Sequence, residues 1–380
     1  MTHCSSVTPS GWTACALLFL ACLPAACSHS EPFSNPQGTE TPFDPGPPAR
    51  LTLNPAHDGN AAWLADGSGL LYSTQQVERV DDDVCLAELP PTGGSQRRLV
   101  CDIPGGKSTT DAAQWPALAA DGRIALVAAG NGTLGGTSPV LLDIGLAPSL
   151  DALTLQTVRT LPLTPTAGVQ QDYAGYLRWL TETRLVYVGQ RFRPVRACPD
   201  VACPLDTLLY GTEVTVLELA GGPATATAVP ATAEATGVAA IDDGRSILYT
   251  LANDSRVYRR VLASGEVTVF HDFGPAGIVR DVHAAGNRVA AVVGGRVAYG
   301  LHPTMGPTQW DSGGVLHLVD LSGEAEVVLE TALRLYRRPA VSPDGTRVIA
   351  EGFTVTVSGP PADPDSTVSK SGDLFLFGGE

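Results

Sequence analysis

The sequence predicts an all-β fold, a six-bladed β-propeller of four-stranded antiparallel blades whose last blade is closed by both termini. Three observations predict it. An apolar run, an Asp-Gly-type turn and a second apolar run recur six times, with turns at Asp66-Gly67, Asp121-Gly122, Glu182-Thr183, Asp243-Gly244, Gly286-Asn287 and Asp344-Gly345. The second residues of these turns lie 55, 61, 61, 43 and 58 residues apart, which suits radial repetition of one four-stranded unit. No stretch carries apolar residues at i, i+3, i+4 and i+7 over several turns, so long helices are not expected.

Each repeat reads as a hairpin, because a tight turn needs positive φ and glycine adopts it at low cost. Short β-branched or aromatic runs follow the turns: Leu70–Tyr72, Ile124–Val127, Leu185–Val188, Ile247–Tyr249, Val289–Val292 and Val348-Ile349. A second hairpin follows in most units, clearest in Gly314–Leu329, with others turning at Gly221-Gly222 and Ser264-Gly265. The last run, Asp373–Phe377, reads as the third strand of the sixth blade. Arg50–Leu53 is available as its fourth, which would leave no open edge. A seventh, degenerate blade in the longer gaps remains open.

The sharpest repeat is Pro339-Ala340-Val341-Ser342-Pro343-Asp344-Gly345, and Pro116–Val127 keeps its frame with Ala119-Ala120 in place of Ser-Pro. These units resemble those of the TolB-like family, WD-repeat-like propellers common in bacterial periplasmic proteins, whose hallmark is Pro-x-x-Ser-Pro-Asp-Gly before an apolar strand. The other four copies keep only the turn position and the strand. The resemblance covers residues 50–380 and implies a propeller in a secretory setting. That family ranges from scaffolds to non-catalytic halves of peptidases, so no function carries over.

Residues 1–26 read as a lipoprotein-type signal: Trp12–Leu23 is an apolar stretch too short to span a membrane permanently. It ends at Leu23-Pro24-Ala25-Ala26-Cys27, which resembles a lipoprotein cleavage box with Cys27 as the lipidated residue. Pro24 replaces the usual leucine and no Lys or Arg precedes the stretch, which leaves Cys22 after Ala21 as the rival site and plain export as another outcome. Residues 27–49, rich in Pro, Ser and Thr, read as a disordered tether, and 50–380 as one propeller domain. The expected address is the bacterial cell envelope, periplasm or outer membrane surface.

The formal net charge is −15, and no charged side chain precedes Cys27, so the processed protein keeps all of it. Such a chain disfavours nucleic acid and anionic membrane surface as partners, leaving contact with a membrane only through a lipid anchor. Four cysteines lie beyond the signal. Cys85 and Cys101 flank a hairpin centred on Gly93, and Cys198 and Cys203 enclose a four-residue loop. Two disulfides suit an oxidising compartment, the first worth about 3 kcal/mol in chain entropy. A metal site at Cys198/Cys203 is the rival reading, with no histidine near them in sequence.

Catalytic motifs are scarce. Gly130-Asn131-Gly132-Thr133-Leu134-Gly135 fits a dinucleotide fingerprint, but a strand-like run follows it instead of a helix, so it reads as a flexible loop. No Gly-x-Ser-x-Gly elbow, His-Glu-x-x-His pair or P-loop occurs. Glu78 with Asp81-Asp82-Asp83 lacks the spacing of a calcium loop and reads as a solvated acidic turn. No metal or other cofactor is expected.

Counting back seven positions from each turn marker selects one ring of residues at the start of the innermost strands: Asn60, Trp115, Tyr176, Gly237, Arg280 and Arg338. Arg178, Asp281 and His283 lie beside them. An Arg- and aromatic-lined channel mouth suits a polar or anionic ligand; the alternative is that these side chains plug the channel and bond to blade backbones. The longest irregular segments, Arg191–Leu209, Leu301–Gly313 and Ser358–Gly372, follow second strands and should share the mouth face. The expected function is a binding or protein-assembly scaffold for an envelope protein or a polar or anionic small ligand. The alternative is a channel-mouth hydrolase or lyase of lactonase-like type, for which Asp281 and His283 are the candidate groups.

Overall fold

The computed structural model describes residues 48–53, 57–75, 84–100, 114–133, 140–152, 159–161, 170–196, 205–221, 223–274, 277–294, 297–302, 306–311, 313–324, 326–329, 334–358, 365–368 and 372–378. Strand β1 (Ala49–Arg50) precedes blade one, which is β2 (Asp58–Trp63), β3 (Leu70–Gln75), β4 (Val84–Leu89) and β5 (Arg98–Val100). Blade two is β6 (Gln114–Leu118), β7 (Ile124–Thr133), β8 (Val140–Ala147) and β9 (Arg159–Leu161). Blade three is β10 (Gln170–Thr181), β11 (Arg184–Arg196), β12 (Leu205–Glu218) and β13 (Thr225–Ala228). Blade four is β14 (Ala235–Ile241), β15 (Ser246–Leu251), β16 (Arg256–Val261) and β17 (Val267–Asp272).

Blade five is β18 (Val279–Ala285) and β19 (Arg288–Val293), then a separate hairpin, β20 (Val297–His302) with β21 (Gly306–Asp311), then β22 (Val315–Asp320) and β23 (Glu326–Leu329). Blade six is β24 (Arg334–Val341), β25 (Val348–Ser358) and β27 (Asp373–Phe377), with β26 (Asp365–Val368) on the distal half of β25. Strand β1 runs antiparallel to β27, with Arg50 opposite Phe375 and the Leu51 N–H on the Leu374 carbonyl at 2.8 Å. The result is six antiparallel blades and, among the described residues, one 3-10 turn and no helix able to cross a membrane.

The Asp-Gly repeats are the turns between first and second strands. Three of them contain a four-residue β-turn, 64–67, 119–122 and 342–345. In each, glycine takes positive φ (Gly67 69°, Gly122 87°, Gly345 75°) and its N–H closes onto the carbonyl three residues back. The aspartate beside it accepts an N–H two residues on, as Asp66 does from Ser68 at 2.9 Å. Glu182-Thr183 and Gly286-Asn287 instead make two-residue turns, since Thr181 faces Arg184 and Ala285 faces Arg288.

Apolar clusters fill the spaces between neighbouring blades. Leu177, Tyr187 and Leu217 meet Trp115 and Val127 between blades two and three, and Trp63 and Tyr72 meet Ile349 and Leu374 where blade six reaches blade one. Two of these junctions share one clasp. The Trp63 indole N–H donates to the Ala340 carbonyl at 2.9 Å, and Trp179 donates to Ala117 at 3.0 Å. Arg347 and Arg123, two residues past Gly345 and one past Gly122, lie over those indoles.

Two sequence expectations are corrected. Gly130–Thr133 is not a loop but the end of β7, because past an irregularity after Ala129 the chain stays extended and Thr133 meets Val140. The described parts of the segments expected to be irregular are largely strand: β11 pairs with β12 out to Arg196 and Leu205, β20 with β21, and β25 with β26. Extended chain leaving a blade satisfies its own N–H and C=O groups by pairing with itself. Cys22, Cys27, Glu78, Asp81–Asp83, Cys101, Cys198 and Cys203 lie outside the described residues.

Candidate functional site

The ring of mouth residues coincides with a feature of the backbone. In every blade the innermost strand carries a β-bulge, between Gly59 and Ala62, Gln114 and Ala117, Gly175 and Arg178, Ala235 and Gly237, Val279 and Asp281, and Arg337 and Ala340. In four blades the first bulged residue is left-handed: Asn60 (φ 52°), Trp115 (56°), Tyr176 (56°) and Arg338 (47°). A non-glycine residue there costs on the order of 1–3 kcal/mol, sustained only where surrounding contacts over-determine it. The bulge re-aims the side chain that would otherwise follow the strand's alternation.

The re-aimed side chains form two groups. In the first, the Arg338 guanidinium lies 4.6 Å from the Trp115 ring centre, and Trp115 packs on Tyr176 at 4.5 Å with planes inclined by 47°. Blades six and two are not neighbours, so this stack passes the inner strand of blade one. Beneath Arg338, Glu351 of β25 is completely buried. Its carboxylate accepts the Asn60 N–H at 2.6 Å and faces Arg338 at 3.2 Å, Arg337 at 3.7 Å and His57 at 3.9 Å. Burial works to raise the Glu351 pKa, but Arg338, His57 and Arg337 outweigh it and hold the carboxyl below its usual range.

The second group joins blades three and five. Arg178 senses the charge of Asp281, which is buried at 3% exposure, and burial lowers the arginine's pKa against that attraction. Blade four lies between them, and its ring residue is Gly237. A β-carbon there would sit 3.2 Å from the Asp281 Cα, so a residue without one lets the blade-five strand approach. His283 accepts the Val341 N–H on Nδ1 at 3.1 Å, a geometry that leaves its proton on Nε2. Burial, with Arg178 nearby, pushes its pKa well below 6.5.

The Arg280 Nε–H donates to the Gly294 carbonyl at 2.7 Å, and Arg178 donates to the Leu177 carbonyl at 2.8 Å. Arg178 Nε is buried and has no hydrogen-bond partner among the described residues. Trp115, Tyr176 and Arg338 are therefore brought together, as are Arg178, Asp281 and His283, and Arg280 is bonded to Gly294 of its own blade. Counting from the turns missed Glu351, His57 and Arg337. The available signal was an acid inside the otherwise apolar run Val348-Ile349-Ala350-Glu351-Gly352-Phe353. Among the described residues no group of three His, Cys, Asp or Glu side chains has the geometry to hold a metal ion.

No protein-family model matches the chain, and no curated protein matches it. Among solved structures it is similar to a gluconolactonase from Xanthomonas campestris, at 13% identity and TM-score 0.50 over 87% of this chain and 88% of that one. It is also similar to a putative TolB from Agrobacterium tumefaciens (14%, 0.45, over 74% and 83%) and to the WD40 repeats of RRP9 (10%, 0.47, over 87% and 97%). What this likeness shows is the propeller fold.

Proposed function

We propose that the protein is an exported, lipid-anchored propeller acting as a binding scaffold, which engages an envelope protein or a polar or anionic small ligand on the face of the channel mouth. One observation carries the reading: the connections between second and third strands of blades three, five and six are enlarged into β-hairpins. In an antiparallel blade that connection leaves on the side where the innermost strand begins, so all three rise beside the bulged residues. Enlarged loops concentrated on one face of a rigid ring are where such scaffolds carry their contacts. The alternative, a lactonase-like hydrolysis at the mouth, needs a carboxylate or imidazole available as a base. Glu351 is held by two arginines, and Nδ1 of His283 is occupied by an amide N–H.

The decisive experiment replaces the β20–β21 hairpin and the tips of the other two by short turns and compares cross-linked partners from envelope extract with those of the full chain. A partner retained by the full chain and lost by the shortened one supports the reading. Equal capture by both overturns it. Export and anchoring have their own test, since globomycin should accumulate a precursor and Cys27→Ser should release the protein from membranes. Normal processing and fractionation in both cases would remove the lipid anchor at Cys27. Leu86 pairs with Val100 across β4–β5, and the sequence neighbours of that pair are Cys85 and Cys101, which supports a disulfide between them. Mass mapping without reduction tests that link and the proposed Cys198–Cys203 link.

A further inference from the structure

Blade six is held from both sides by a histidine that accepts a backbone N–H. From blade five, His283 takes the Val341 N–H on Nδ1 at 3.1 Å; from the entry to blade one, His57 takes the Gly372 N–H on Nδ1 at 3.1 Å. Strand β24 pairs only with β25, so the buried Val341 amide on its other edge has no ladder partner. Both bonds need a bare Nδ1. A histidinium has none, and a proton there turns each acceptor into a donor facing an N–H. The histidines at the junction of blades four and five are wired differently. His271 donates from Nδ1 to the Gly323 carbonyl at 2.8 Å, and His271 and His317 face the two oxygens of Glu326 at 3.2 and 2.6 Å. Added protons preserve those contacts.

We propose that blade six is an acid-sensitive closure of the ring: protonation of His57 and His283 withdraws both acceptors and loosens this blade ahead of the other five. The charged groups around His57 are Glu351 at 3.9 Å, Arg337 and Arg338 on that same carboxylate, and Asp58 next to it in sequence. Glu351 attracts a proton to His57, the two arginines repel it, and taking it up breaks the bond from Gly372. Around His283 are Arg178 of blade three and Asp281 of its own strand. Burial and Arg178 oppose a proton on His283, whereas an opened blade frees it to titrate as an ordinary histidine. Closure linked to His283 is therefore complete above about pH 6.5 and weakens about tenfold per pH unit below it, until the closed site also protonates.

Hydrogen exchange read by mass spectrometry on the full chain at pH 7.5 and 5.0, corrected for the intrinsic rate at each pH, tests this. Protection of segments 335–341 and 372–377 should fall about tenfold or more at the lower pH, while 247–251 of blade four changes less than about threefold. The double variant His57→Asn, His283→Asn supplies the second reading, because the asparagine oxygen stands near the place of Nδ1 and accepts an N–H without titrating. It should keep blade six protected at pH 5.0 to within about threefold of pH 7.5. Uniform loss of protection across the blades, or none in blade six, overturns the proposal. So does a folded double variant that loosens as the parent does. Should the double variant fail to fold, the comparison of blade six with blade four on the unaltered chain decides.

Discussion

Asn60 donates its backbone N–H to the Glu351 carboxylate at 2.6 Å, across 291 residues of sequence. That bond joins the first blade to the last, and it holds a left-handed residue in place with a carboxylate that Arg337, Arg338 and His57 surround. Removing the charge alone leaves Arg337 and Arg338 without their buried anion. Glu351→Gln should therefore cost about 3–5 kcal/mol in urea unfolding. Adding Arg338→Met to it should recover part of the loss, because the two sites are coupled. Additive effects would show that the pair does not act as a unit.

Arg347 lies 4.5 Å over Trp63 and donates to the Gly67 carbonyl at 3.0 Å, while Arg123 lies 4.9 Å over Trp179 and donates to Glu182 at 2.7 Å. Equal geometry predicts equal consequence. Trp63→Phe and Trp179→Phe each remove an indole N–H from a blade-to-blade carbonyl and weaken the cation–π contact, for a loss of about 1–3 kcal/mol apiece. The sites belong to different junctions, so the double variant should lose the sum within about 0.5 kcal/mol. Melting and denaturant midpoints read both.

His283 predicts the acid side of the stability profile. Its folded pKa lies well below 6.5, so on acidification the unfolded chain takes up this proton first. Stability linked to the residue is full at high pH and falls as pH drops through about 6.5, by at most about 1.4 kcal/mol per pH unit, until the folded site also protonates. His283→Gln should flatten the slope of unfolding free energy between pH 7 and 5. An unchanged slope would place the titration elsewhere.

Strand β27 lies between β25 and β1, so its removal exposes two edges at once. Deleting residues 373–380 should leave an aggregated or protease-sensitive chain, whereas deleting 379–380 should have little effect. Sedimentation and limited proteolysis distinguish them. A soluble truncation with unchanged melting would show that blade six does not depend on this strand.

The fold class was legible because each blade restates it. A turn between two apolar runs recurs, and strand alternation makes any position at a fixed distance before the turn the same place in every blade. Counting seven residues back therefore found Asn60, Trp115, Tyr176 and Arg338 without coordinates. Sequence alone also settled the acidic charge and the absence of helical periodicity. It could not reveal that these positions are bulged and left-handed, since nothing in Trp115 or Tyr176 as a residue type favours positive φ. Nor could it pair Glu351 with His57 and Asn60, or Arg178 with Asp281 past Gly237. Those contacts join strands of different blades and carry no local pattern. They exist because closing the ring brings six inner strands around one axis, and the bulge in each strand decides which side chain turns toward it.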